Sequence, residues 1–232
     1  VNADDLGQKY EEGLTKEKVQ YFYNKKKEVS PTGTCLILIT PDAERTMVTF
    51  LGIAGKISQT DIDDKAVKES EMIFLEGYLW DEGEPKLAFD KAMSLSNTKA
   101  MSLSDQFCVE RHKNDFLDLV KNKLDIIFAN EQEIKSLIQA KNFEDVIEFG
   151  RQLEKILIIT RGEKGSVGIK KQEVIECKSK PNLKIVDLTG AGDLFAAGFL
   201  HGIINKFSIK ESLEKGTEMS SKIIQKVGAR LD

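Results

Sequence analysis

The sequence predicts an α/β domain in which a largely parallel sheet is covered by helices on both faces, with a small β pair outside it. Three observations carry that expectation. Short apolar runs without polar alternation recur at "MIFLEGYLW", "KAMSLSD", "LDIIFANE" and "KILIITRG", as strands buried on both faces require. Long connections with helical character separate them, which is what crossovers between parallel strands need. Two further β-rich runs, "TGTCLILIT" and "RTMVTFLGI", stand on either side of a "PDAE" turn and read as a hairpin.

In chain order, "NKKKEV" near residue 26 is a short charge run of solvated surface, and the hairpin follows from Thr34 to Leu51. The polar stretch "SQTDIDDKAVKESE" reads as helix surface before the first apolar strand. Helices are expected over 85–95, 112–122, 131–139 and 144–152, between the strands. A second turn-linked pair, "GSVGIKK" and "EVIECKS", precedes "IVDLTGAGDLFAAGFLHG", which reads as a glycine turn opening a helix of small and apolar residues. In a closing helix, Leu213, Gly216, Ser220, Ile223, Ile224 and Val227 recur at helical spacing.

Composition narrows the function classes. At 232 residues the chain exceeds the span of a typical domain, about 100–200 residues, so one large α/β domain or a domain with a small appendage is expected. Hydrophobic residues at 41%, charged residues at 31% and a net charge of −4 describe an ordinary globular protein. They argue against a basic footprint for nucleic acid. Cys35, Cys108 and Cys177 are widely spaced with no CxxC pair, which fits thiols in a reducing compartment better than a disulfide framework or zinc site. No apolar run reaches the roughly 18 residues of a membrane span, and the opening "VNADDLGQKYEEGL" lacks the features of a signal peptide. A cytoplasmic location is expected.

The chemistry concentrates at Gly190-Ala191-Gly192-Asp193. Small residues let a ligand approach backbone N–H groups directly, and a helix start adds unpaired N–H groups and about half a positive charge, so the turn suits a phosphate. Asp193 has two readings there. It is either a helix N-cap accepting backbone N–H bonds or a general base taking a proton from an attacking hydroxyl. Asn130 and Glu133 stand three apart at another helix start, where capping and cation binding are both open readings. "GIAGKIS" lacks P-loop spacing, and "DIDDKAVKESE" lacks the glycine of a calcium loop. Trp80 and Tyr78 read as core or rim, and His201 as packed or hydrogen-bonded.

"VDLTGAGDLFAAGF" resembles the second signature of the ribokinase-like (PfkB) family of sugar and nucleoside kinases, Asp-Thr-Thr-Gly-Ala-Gly-Asp, with Leu188 in place of the middle threonine. "FANEQE" resembles the family's Asn-x-x-Glu motif, "ITRGEKGSVG" its nucleotide loop and "VGAR" the Gly-Ala turn beside its ATP site; "FLEGYLWD" and "LSDQFCVERH" look most like an adenosine-kinase-like bacterial branch. The resemblance implies a three-layer αβα Rossmann-like ribokinase fold with a small β-sheet lid. The lid would be the hairpin at 27–54, and 1–26 with 55–232 would form the nucleotide-binding and catalytic core.

It also implies roles. Asp193 would be the base, with the N–H groups of Gly190, Ala191 and Gly192 stabilising charge on the transferred phosphoryl. Asn130 and Glu133 would organise Mg²⁺, Thr160 and Gly162 would contact ATP, and Gly228 would border the nucleotide. Asp187 and Thr189, with backbone carbonyls near Gly228, match positions that hold a monovalent cation such as K⁺ in many relatives. The hairpin would exclude water and, through its open edge, pair two subunits into a homodimer, while Arg45 and Thr49 could reach substrate or be solvated strand residues.

The expected acceptor is an adenosine-like nucleoside, with ribose, fructose or a keto-sugar acid as alternative. The family's early sugar-gripping Asp and its Gly-Gly-x-x-x-Asn motif have no counterpart in this sequence. The expectation is therefore a fragment of a longer kinase, against the alternative of a non-catalytic nucleotide-binding relic.

Overall fold

The computed structural model describes residues 1–80 and 83–231. Asp81, the last residue of "FLEGYLWD", and Asp232 lie outside them. The chain divides into two compact units, one of residues 1–38, 46–73 and 79–98, the other of 39–45, 74–78 and everything from Lys99 onward.

In the first unit, helix α1 (Asp5–Lys16) starts where the Asp4 carboxylate accepts the Gly7 N–H at 2.8 Å. The same carboxylate takes the Thr32 hydroxyl at 2.6 Å and the Thr32 N–H at 2.8 Å, tying the helix start to a residue 28 positions away. The sequence reading missed α1 because its polar face dominates a solvated helix. Strands β1 (Thr34–Ile39) and β2 (Arg45–Phe50) form the expected two-stranded hairpin. Its tip, residues 39–45, groups with the second unit. Helix α2 (Asp64–Glu69) is capped by Asp63, and α3 (Glu84–Leu95) starts with Pro85 in its first turn and buries Ala88, Phe89, Ala92 and Met93 as one stripe. Trp80 is 2% exposed and meets Phe89 edge-on at 5.3 Å, as a core residue.

The second unit holds, but for Ile73, a six-stranded sheet in the order β3 (Ile73–Glu76), β4 (Lys99–Ser102), β5 (Ile126–Asn130), β6 (Ile156–Thr160), β7 (Ser166–Lys170) and β8 (Glu173–Cys177). The β4–β5 and β5–β6 pairs are parallel, and β7 and β8 add antiparallel strands, so the sheet is mixed. Ile126, Ile127, Leu157, Ile158 and Ile159 are all buried, which explains the unbroken apolar runs.

Neighbouring residues of β7 identify the layers. A Cβ on Gly168 would touch Ile209 and Leu213 of helix α9 (Ile209–Ile223), whereas Ile169 fills the space beside Gly150 of α7 (Phe143–Gln152). Successive strand residues face opposite sides, so α7 and α9 cover opposite faces. Helix α8 (Ala191–Ile204) joins the α9 layer: Gly198 sits against the backbone of Lys215 and Gly216, and Phe199 meets Phe128 of β5 edge-on. The result is a three-layer αβα arrangement.

Several boundaries differ from expectation. The helix expected over 112–122 is α4 (Gln106–Arg111), capped by Asp105, then α5 (Lys113–Asp118) and a π-helical turn at Leu119–Lys123. Helix α9 stops at Ile223, so Ile224 and Val227 lie beyond it; Ile224 instead offers its carbonyl to the N–H groups of Val186 and Asp187. The helices expected over 131–139 and 144–152 appear as α6 (Glu131–Ile138) and α7.

Candidate active site

Parallel strands deliver their last residues to one edge of the sheet, where open α/β folds bind ligands. Asn130 and Thr160 are register partners at the ends of β5 and β6. Glu76 ends β3, and the chain after β4 turns at Ser104, whose φ of +73° is uncommon for a residue with a side chain. The Ser104 hydroxyl donates to Glu76 Oε2 at 2.9 Å.

Asn130 caps α6. Its Oδ1 accepts the Glu133 N–H at 2.8 Å, and Glu133 Oε2 accepts the Asn130 N–H at 2.9 Å. This is a closed capping box, and Glu133 is 5% exposed, so the pair is a cap whose acid is buried. Burial pushes the Glu133 carboxyl up to about 7; the Asn130 bonds oppose this, and the charge of Asp105 adds to it. Glu76 is likewise raised to about 7, chiefly by burial, with the Ser104 hydroxyl opposing and the charges of Asp193 and Glu133 contributing. Glu76 thus lies in the electrostatic reach of Glu133 and of Asp193. Glu76, Ser104 and Asp105 were missed in the sequence; the available signal was a lone acid ending the apolar run "MIFLE".

The glycine turn is built differently. Gly190 is the N-cap of α8, with φ +78°, and no side chain caps the helix. Asp193 is the third helical residue and is exposed, so it is not the N-cap, and no hydrogen bond holds its side chain among the described residues. Leu188 O accepts the Ala191 N–H at 3.2 Å, whereas the N–H groups of Gly190, Gly192 and Asp193 have no protein acceptor among the described residues. A Cβ on Gly192, Gly162 or Gly228 would meet nothing within 4 Å, so open space borders all three glycines. Gly162 and Gly228 have φ of +56° and +94°, which their lack of a side chain permits.

Behind the turn, Asp187 is 1% exposed. Its Oδ1 accepts the Thr189 N–H at 2.8 Å and the Thr189 hydroxyl at 2.6 Å, and its Oδ2 accepts the Gly228 N–H at 2.9 Å. Burial works to raise this carboxyl, but those donors and the positive charge of Arg45 hold it below the usual carboxylate range. Arg45 lies at the hairpin tip; Thr49 sits on exposed β2 with its hydroxyl 3.2 Å from Cys35 Sγ. His201 is exposed, hydrogen-bonded to Asn205 and edge-on to Phe207. Tyr78 is an exposed rim residue whose hydroxyl donates to Ser104 O. No helix among the described residues is long and apolar enough to cross a membrane, and none of their His, Cys, Asp and Glu side chains group into a metal cluster.

The whole of residues 1–232 matches the family model described as pfkB family carbohydrate kinase. The structure of adenosine kinase from Sinorhizobium meliloti superposes with a TM-score of 0.95 at 32% identity, over 100% of this chain and 72% of that one. That of a probable sugar kinase from Rhizobium etli does so with 0.95 at 34%, over 99% and 71%. An uncharacterized sugar kinase of Archaeoglobus fulgidus is 30% identical over 207 residues, 86% of this chain and 79% of its own length.

Proposed function

The chain belongs to the PfkB family of carbohydrate kinases, and from that premise we propose that it transfers the terminal phosphoryl group of ATP to the hydroxymethyl group of an adenosine-like nucleoside. The broader statement, a sugar or nucleoside kinase, follows from the family and its relatives. Likeness to an adenosine kinase across the full chain supports the nucleoside acceptor. Likeness to two sugar kinases keeps ribose, fructose or a keto-sugar acid as the second reading.

One observation carries the proposal: an exposed Asp193 stands at the mouth of an uncapped helix, beside N–H groups that have no protein acceptor among the described residues. In the proposed reaction the acceptor oxygen bonds to the γ-phosphorus as the bond to the β–γ bridging oxygen breaks, ADP leaves, and Asp193 takes the hydroxyl proton. The N–H groups of Gly190 and Gly192, with the positive end of α8, stabilise charge on the transferred group. Ala191 contributes less, since Leu188 already engages its N–H. Thr160, Gly162 and Gly228 line the nucleotide, which the open space beside both glycines supports.

Asn130 and Glu133 fit a Mg²⁺ held through its water shell. Each Glu133 oxygen accepts from Asn130 yet keeps a lone pair for a coordinated water, and a nearby dication would return the carboxyl to its charged form. The ion would neutralise phosphate charge. Arg45 adds a fixed positive charge, and the hairpin serves as a lid whose open edge would pair with a second copy. Free cysteines fit a reducing, cytoplasmic setting.

The test is ADP release by the purified chain with Mg²⁺-ATP and a panel of adenosine, cytidine, ribose, fructose and keto-sugar acids. Adenosine is expected to give the highest kcat/KM. A preference for a sugar selects the second reading, and ADP release with none of them overturns the assignment.

A further inference from the structure

In the cation reading of the signature, Asp187, Thr189 and nearby carbonyls present oxygen lone pairs to a monovalent ion. The geometry found here has the opposite polarity. Both Asp187 oxygens receive hydrogen-bond donors: the Thr189 N–H and hydroxyl on Oδ1 and the Gly228 N–H on Oδ2. Neighbouring carbonyls are also engaged, Leu188 O by the Ala191 N–H and Ile224 O by the N–H groups of Val186 and Asp187. A dehydrated K⁺ needs a ring of oxygens with free lone pairs; Asp187 Oδ1 and Ile224 O each already take two donors, and a peptide N–H aimed at the carboxylate presents a partial positive charge instead.

These bonds join two segments. Val186 to Gly190 is tied to residues 224–229 through Ile224 O and Gly228 N, and Gly190 rests on Ala229, whose Cβ lies 3.0 Å from where a Gly190 Cβ would stand. The backbone that aims the open N–H groups is therefore set from behind by the Gly228–Ala229 turn. We infer that Asp187 is a positioning residue, an internal latch between the glycine turn and the Gly228 turn, and that phosphoryl transfer needs no monovalent cation. The inference rests on the kinase reading for its rate assay alone.

Two measurements test it. Initial velocities are compared in potassium, sodium and tetramethylammonium chloride at one ionic strength, for the native chain and for Asp187→Asn. Equal native rates in the three salts are expected, with a raised KM for ATP in Asp187→Asn that is the same in each. An activation by K⁺ of about tenfold over tetramethylammonium, or a K⁺ response that Asp187→Asn abolishes, overturns the latch. The ATP-induced rise in Tm is read in the same salts and needs no acceptor. If no acceptor yields ADP, the kinase reading fails separately, and this rise still decides: equality supports the latch and dependence on K⁺ overturns it. The native-chain comparisons hold even if Asp187→Asn does not fold.

Discussion

Helices α6 and α8 each carry an acid as the third residue, Glu133 and Asp193, yet the two acids have opposite fates. At α6 the N-cap is Asn130, extended at φ −84° and ψ 170°, and Glu133 is long enough to reach back to its N–H. The box closes, the acid is buried, and the helix start is satisfied from within. At α8 the N-cap is Gly190 in the left-handed region, with no side chain to offer, and Asp193 stays in solvent. One helix start is satisfied from within, and the other leaves the N–H groups of Gly190 and Gly192 and the Asp193 carboxylate without a protein partner among the described residues. Position in the helix is thus insufficient to assign an acid; the N-cap conformation and one methylene of side-chain length decide.

The comparison breaks most directly at Asp193. Asp193→Asn should cut turnover by about 10²–10⁴-fold while nucleotide binding persists, read by ADP release and by nucleotide titration; unchanged turnover would assign the base elsewhere. Next in size is a pH effect of the two buried acids. Glu133 and Glu76 have folded values near 7, above their ordinary 4.5. The native state therefore binds more protons than the unfolded one between those limits, and its stability, complete below 4.5, is lost as pH rises through about 7. Tm measured from pH 4.5 to 8 should show this fall, and Glu76→Gln should remove its share of it.

Smaller effects sharpen the contrast. Gly190→Ala must hold a side chain at φ +78° with its Cβ 3.0 Å from that of Ala229. A loss of about 1–2 kcal/mol in denaturant unfolding is expected, with weaker ATP binding. Asn130→Ala opens the α6 box and should cost about 1 kcal/mol by the same measurement. The smallest expected change is in the stability of Asp193→Asn: an exposed carboxylate without a bond should alter unfolding by less than about 0.5 kcal/mol, so its loss of turnover cannot come from misfolding.

Much of this was legible in the residues. The apolar runs were strands, the hairpin lay where its turn residues placed it, and the glycine turn opened a helix. What escaped had physical causes. Helix α1 is solvated and carries no apolar stripe wide enough to declare it. Glu76 and Ser104 are brought to the site by pairing of β3 with β4, which no local pattern reports. For Asp193 the tetrapeptide alone favours an N-cap and the family resemblance a base; the backbone puts Gly190, not Asp193, in the capping position.

The hexapeptide Lys-Ala-Met-Ser-Leu-Ser occurs twice, at 91–96 and 99–104. In the first copy Lys91 to Leu95 end helix α3, with Ala92 and Met93 buried and Ser94 exposed; in the second, Lys99 to Ser102 form β4, and Ala100, Met101 and Leu103 are all inaccessible. Flanking residues separate them by eye, since "EPKLAFD" starts a helix and "SNT" breaks one. Sequence by itself therefore determined most of the helices and strands and the glycine turn that opens α8, because those choices rest on local sterics and periodicity. The tertiary structure alone decided that Met101 lies beside Ile127 in a parallel ladder, and which acid is buried and which left open. Strand partners and desolvation come from residues far apart in the chain, and no window of the sequence contains them.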